Sequence, residues 1–234
     1  MEPVPDSNQW SLAAELQKVA GVEGVAAALH ALGLVSRPES SYRLVGGDGQ
    51  WVRGGAETYI FRFQVDEEGK AVKDVMIKAC VPFALGVDLN EILDHWVQRR
   101  NLLRANGVET PHLYGYGHVV LIEEYIPHSL PEILCSATSN RKELLAGLAI
   151  YAAVLSKLGF APVGPFEDLR SRGRDVVAID FGEDLGPPRV NNKPRPEMFE
   201  MVAAYVRRVG VNLSDNETDE LHGVFAAHEG RLLQ

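Results

Sequence analysis

Val176-Val177-Ala178-Ile179-Asp180-Phe181-Gly182 is the stretch on which the reading of this chain turns. Four apolar residues, three of them β-branched, predict a short buried strand. The strand delivers a carboxylate to its end, Phe181 anchors the turn by burying its ring, and Gly182 lets the backbone bend. A carboxylate so placed suits Mg²⁺, a hard cation that takes one or two protein oxygens and completes its shell with water and substrate phosphates. As a bare tripeptide Asp-Phe-Gly arises often by chance. Behind this strand, and downstream of a lysine set in another strand, it is far more specific.

That lysine is Lys78, in Val75-Met76-Ile77-Lys78-Ala79-Cys80. Alternation puts Met76 and Lys78 on one face and Val75 and Ile77 on the other. A lysine in so apolar a strand needs a partner or a route to water. It is either a sheet-edge lysine that snorkels outward or an ammonium that meets nucleotide phosphates. Upstream, Gly54-Gly55-Ala56-Glu57-Thr58 joins two β-like runs. It fits a plain hairpin turn first, and otherwise a loop whose N–H groups approach phosphate oxygens. Between lysine and aspartate, His118 to Pro127 is an apolar strand that runs into Glu123-Glu124. It reads either as a strand surfacing at Glu123 or as a hinge, where adenine is met by backbone atoms.

The rest of the chain arranges itself around these features. Ser11 to Leu32 predicts a helix capped by Ser11. Tyr42 to Val45, Gln50 to Val52, Thr58 to Phe63 and Val72 to Ala79 are β-like and separated by glycine-rich turns, which predicts a small antiparallel sheet. A helix from Leu89 to Ala105 has Ile92, Leu93, Trp96, Val97, Leu102 and Leu103 on its buried side and stops at Asn106-Gly107. Two strands follow, over His112 to Tyr116 and His118 to Tyr125. Helices are then predicted over Leu130 to Cys135, Arg141 to Leu158, Glu197 to Gly210 and Ser214 to Gly230, with a loop after Pro162 and a turn at Gly173.

Composition sets limits on function. The 234 residues are 46% hydrophobic and 24% charged, a globular balance. The longest apolar run, Leu144 to Leu155, falls short of the roughly 20 residues that span a bilayer. Met1 to Gln9 does not have the pattern of a secretory signal, and two cysteines, Cys80 and Cys135, do not make a disulfide framework. A cytoplasmic protein without a membrane partner is expected. The net charge of −9 argues against a nucleic-acid partner, although Arg170, Arg172 and Arg174 form a local basic cluster. His95, His112, His118 and His128 lack metal-ligand spacing, and Cys135 is expected in the core.

Gly107-Val108-Glu109-Thr110-Pro111-His112-Leu113-Tyr114-Gly115-Tyr116-Gly117, then Val120 to Leu130, then Val176 to Gly182 occur in a familiar order. In these motifs the chain resembles the protein-kinase-like superfamily, nearest its aminoglycoside phosphotransferase and choline-kinase branch. The likeness covers roughly Tyr42 to Pro188. It implies an α+β, two-lobed kinase-like fold: an N-terminal helical extension over 1–40, a small nucleotide-binding lobe over 41–126 and a mainly helical lobe over 127–234. It also implies ATP and Mg²⁺ as cofactors. Lys78 would hold phosphates with Gly54 and Gly55 nearby, Glu124 and Ile126 would offer backbone atoms to adenine, and Asp180 would bind the metal. The helix acid expected beside Lys78 is Glu91, with Asp94 one turn away.

The chain also departs from that family. Where the resemblance expects a catalytic aspartate stands Val163, and Asp168 falls near the position of the metal-binding asparagine. Glu167 and Asp168 either substitute, as catalytic acids and with Asp168 as a second metal ligand, or are loop acids neutralised by Arg170 and Arg172. Glu123 occupies a position that is usually apolar, and a buried acid there needs a partner or a raised pKa. The expected function is an ATP/Mg²⁺-dependent phosphotransferase acting on a small molecule or a protein. The alternatives are a pseudokinase that keeps the fold as a binding module, and transfer of another part of the nucleotide such as AMP.

Overall fold

The computed structural model describes residues 42–44, 52–53, 58–65, 73–80, 88–117, 120–136, 139–160, 166–182, 185 and 197–231. The helix expected from Ser11 to Leu32, the Gly54-Gly55 turn and Val163 lie outside them. The described residues form two antiparallel sheets and five helices, an α+β protein. They divide into two compact units: up to His95 together with His112–Tyr125, and Trp96–Pro111 together with the chain from Ile126 onward.

The first unit holds the larger sheet. Its strands are β1 (Tyr42–Leu44), β2 (Val52–Arg53), β3 (Thr58–Val65), β4 (Lys73–Cys80), β5 (Leu113–Gly117) and β6 (Val120–Glu124). The order is β1-β3-β4-β6-β5, with β2 also on β3. The β-branched and aromatic content of β3 and β4 suits a pleated, two-sided surface, and all eight residues of each strand pair, Thr58 with Cys80 through Val65 with Lys73. Val75 and Ile77 are fully buried, and Lys78 on the opposite face is buried too. The strand is therefore covered on both sides, and its lysine does not sit on an open edge. Arg62 on β3 donates two hydrogen bonds to Asp74 at 2.9 and 2.6 Å, and its guanidinium stacks 3.8 Å above the Tyr125 ring. The Tyr125 N–H donates to the Asp74 carbonyl at 3.1 Å, which fixes the end of this unit to its central hairpin.

Helix α1 (Leu89–Ala105) is found where the periodicity places it, and the boundary between the units falls inside it. Ile92, Leu93, Trp96, Val97 and Leu103 are buried as expected. Arg99 and Arg100 are buried as well, at 8% and 2% exposure, which apolar periodicity does not foresee.

The second unit contains α2 (Leu130–Cys135), α3 (Arg141–Leu158), α4 (Glu197–Arg208) and α5 (Asp215–Arg231). Its three-stranded sheet runs β7 (His128–Ser129), β8 (Leu169–Arg172), β9 (Asp175–Ala178). The loop expected before Gly173 is partly strand: β8 pairs with β9, and Gly173 at φ 64 makes the turn. Helix α3 is the centre of this unit, burying ten residues from Leu144 to Ser156, and it packs on α4, α5 and β9. Gly147 permits the approach to β9, since a Cβ there would meet Val176 Cγ2 at 3.0 Å. Gly159 ends the helix in the left-handed conformation, at φ 72. Cys135, expected in the core, is exposed; its thiol donates to the Val209 carbonyl at 2.7 Å. Among the described residues no helix is long and apolar enough to cross a membrane.

Candidate functional site

In the second unit, β9 delivers Asp180 to the protein surface. Val176, Val177 and Ala178 are buried, Asp180 is exposed, and Phe181 and Gly182 are buried again. The carboxylate Oδ1 accepts the Gly182 N–H at 2.9 Å, closing a tight turn. From the interior, Arg99 Nη1 donates to the carbonyls of Phe181, at 3.2 Å, and Gly182, at 2.5 Å. The preceding strand is also held. Glu109 bridges to Val177, and Ala178 N–H donates to the Glu109 carbonyl at 2.9 Å. Arg100 Nη2 in turn donates to the carbonyl of Pro111. Two neighbouring arginines of α1 thus secure the turn after β9 and the segment that flanks it.

The second unit also holds an aromatic row. Tyr151 of α3 meets Phe166 edge-on at 6.2 Å, and Phe166 meets Tyr205 of α4 at 5.4 Å. Burial pushes the Tyr151 hydroxyl far above the ordinary tyrosine range, and the negative charges of Asp180 and Asp168 add to the shift. Both carboxylates are therefore within electrostatic reach of one buried phenol. Burial likewise raises Tyr205 to about 12, with Arg208 opposing and Glu167, Cys135 and Asp168 adding to it. Asp168 and Glu167 are exposed in the turn that opens with Phe166. Glu167 pairs with Arg208 at 2.8 Å. Arg172 stands 3.8 Å from Glu109.

Among the described residues no group of three or more His, Cys, Asp or Glu side chains gathers to hold a metal unaided. Mg²⁺ bound with a nucleotide does not require one, because phosphates and water fill most of its shell. Asp180 and Asp168 are both exposed carboxylates, and hard oxygens of that kind suit such an ion.

In the first unit the acid beside Lys78 is Glu123, with Nζ and Oε1 2.7 Å apart. The register explains the pair. Lys78 lies opposite Leu121, so Glu123, two residues along β6 on the same face, is its diagonal neighbour and within reach of a long side chain. Glu91, the acid expected from α1, is exposed in the first turn of that helix, and Asp94 is exposed too. The partner that a buried Glu123 requires is thus the sheet lysine itself. Glu124 closes β6: its N–H donates to the His112 carbonyl at 2.8 Å and its carboxylate accepts the His112 N–H at 3.0 Å. Ile126, which opens the second unit's long segment, is buried.

No protein-family model matches the chain, and no curated protein matches it.

Sequence reasoning missed Arg99, Arg100 and Tyr151. Each acts through backbone carbonyls or through burial, and neither leaves a mark on residue spacing.

Proposed function

We propose that the two units are the lobes of a protein-kinase-like fold and that the chain is an ATP/Mg²⁺-dependent phosphotransferase of the aminoglycoside phosphotransferase-like type. Its acceptor is a small molecule or a protein, and it works in the cytoplasm. The observation that carries this reading is the Asp180 turn, where an exposed carboxylate stands on a backbone held from inside by Arg99. In this reading Asp180 and Asp168 hold the metal, Glu167 is the remaining loop acid, and Lys78 meets phosphate oxygens. Bound Mg²⁺ would neutralise charge on the transferring phosphoryl group. Phosphoryl transfer rests mainly on positioning and electrostatic stabilisation, so two loop acids and a lysine are a sufficient inventory for slow chemistry.

The Lys78–Glu123 pair favours a second reading, a pseudokinase that binds nucleotide or a protein partner without turnover. An ammonium already neutralised by a buried carboxylate offers phosphates less charge. Thermal shift with ATP, with and without Mg²⁺, tests both readings through linkage. A metal-dependent rise accompanied by labelled-phosphate transfer, both abolished in Asp180→Ala, supports the phosphotransferase. A rise without transfer supports the pseudokinase. An unchanged melting temperature at millimolar ATP would sink the phosphotransferase and the nucleotide-binding form of the pseudokinase.

A further inference from the structure

We infer that Arg99 is a positioning residue for the Asp180 carboxylate, fixing the turn from which a divalent cation is held together with a nucleoside triphosphate. The inference rests on the nucleotide reading above. Three observations lead to it. Arg99 is buried in α1, and its Nη1 donates to the two successive carbonyls that follow Asp180. A guanidinium presents several N–H donors in a rigid plane, so one side chain can fix two adjacent acceptors at once. The same turn closes on Asp180 itself through Gly182 N–H and Oδ1.

The chain of restraint is therefore short. Arg99 holds the carbonyl of Gly182, the Gly182 N–H holds one carboxylate oxygen, and that bond sets the direction of the carboxyl group. Arg100, beside it, secures Pro111, and the segment just before Pro111 bridges to β9. The strand and the turn that follow each other in sequence are thus tied to consecutive residues of one helix. Groups that orient a metal ligand without touching the metal commonly govern affinity by about 10- to 100-fold.

The test compares Arg99→Gln and Arg99→Lys with Arg104→Gln, which alters an exposed arginine of the same helix. Two readouts are taken on the full chain: amide hydrogen exchange across Asp180–Gly182, and Mn²⁺ binding in the presence of ATP, followed by electron paramagnetic resonance. Arg99→Gln should speed exchange at Phe181 and Gly182 and weaken Mn²⁺ by about tenfold or more. Arg99→Lys, which keeps the charge but not the fork, should lie between it and wild type, and Arg104→Gln should match wild type. Unchanged exchange, or unchanged Mn²⁺ affinity in both Arg99 variants while the wild type binds, overturns this inference alone. A wild type that binds no Mn²⁺ with ATP overturns the nucleotide reading, and this proposal falls with it. Should Arg99→Gln fail to fold, Arg99→Lys decides the matter.

Discussion

Lys78 and Glu123 form an ion pair across adjacent strands, 2.7 Å apart, with side-chain exposures of 11% and 2%. Removing one partner from such a pair strands a charge in a poorly solvated place, and that typically costs about 3–5 kcal/mol. Replacing both with apolar residues of similar size removes the two desolvation penalties together. Lys78→Met and Glu123→Leu should each destabilise the protein strongly in urea unfolding, and the double variant should recover most of the loss. Single losses that simply add in the double variant would show that the two charges are not coupled.

The same pair makes a prediction about ligand. If nucleotide phosphates must compete with Glu123 for the ammonium, Glu123→Gln should enlarge the ATP-induced rise in melting temperature, because the neutral amide attracts Lys78 less. A smaller rise than in wild type would mean that Glu123 assists nucleotide binding. Asp180→Asn supplies the control, since its effect should appear only when Mg²⁺ is present.

Much of the architecture was legible because it is written in local periodicity. Helices α1 and α3 begin and end where apolar spacing, and for α1 Asn106-Gly107, predict, since each is long enough for its buried stripe to repeat. Strand β9 was readable from four apolar residues in a row. Its partner β8 was not, because Leu169-Arg170-Ser171-Arg172 hides its alternation: the inward residues are Leu169 and Ser171, and a buried serine carries no hydrophobic signal. The site divides in the same way. Asp180 is a feature of sequence, whereas the Lys78 partner depended on strand register: the helix acid Glu91 is expected from the sequence, and the strand acid Glu123 is found. Arg99 reaches carbonyls more than eighty residues away, and a backbone acceptor has no residue type to recognise.

Gly147 and Val176 give a packing test within the second unit. A Cβ at 147 would lie 3.0 Å from Val176 Cγ2 and 3.2 Å from its Cβ, tighter than ordinary van der Waals contact. In an open helix Gly→Ala would gain about 1 kcal/mol from propensity, whereas overpacking typically costs about 1–3 kcal/mol. Gly147→Ala should therefore destabilise the wild type, and should stabilise or be neutral in a Val176→Ala background. Equal effects in the two backgrounds would mean that helix and strand can move apart freely.

Acid should loosen α5 through its cap. The Glu217 carboxylate accepts the Ser214 N–H at 2.8 Å and its hydroxyl at 2.9 Å, and these bonds, with Arg141 nearby, lower its pKa below the usual glutamate value. A depressed folded value means that the unfolded chain binds the proton first. The stabilisation is therefore present at neutral pH and is lost as pH falls through the folded value. Glu217→Gln should lower the melting temperature near neutrality and flatten its decline in acid. An acid limb with unchanged slope would remove the cap from the explanation.

Alkali offers the converse case at Tyr205. Its ring is packed against Phe166 and lies under Arg208 at 5.5 Å, it is 4% exposed, and its hydroxyl lacks a hydrogen-bond partner among the described residues. Burial raises its pKa to about 12 from the ordinary 10.0. A raised folded value means that the neutral phenol is favoured by folding. That contribution is intact below the unfolded value and disappears as pH climbs through the folded one. A buried hydroxyl left without a partner costs about 1–3 kcal/mol, so Tyr205→Phe, which keeps the ring, should leave stability at pH 7 unchanged or raise it by about 1 kcal/mol. It should also make the protein more resistant to unfolding between pH 10 and 12. A clear loss of stability at pH 7 would mean that the hydroxyl does make a bond in solution.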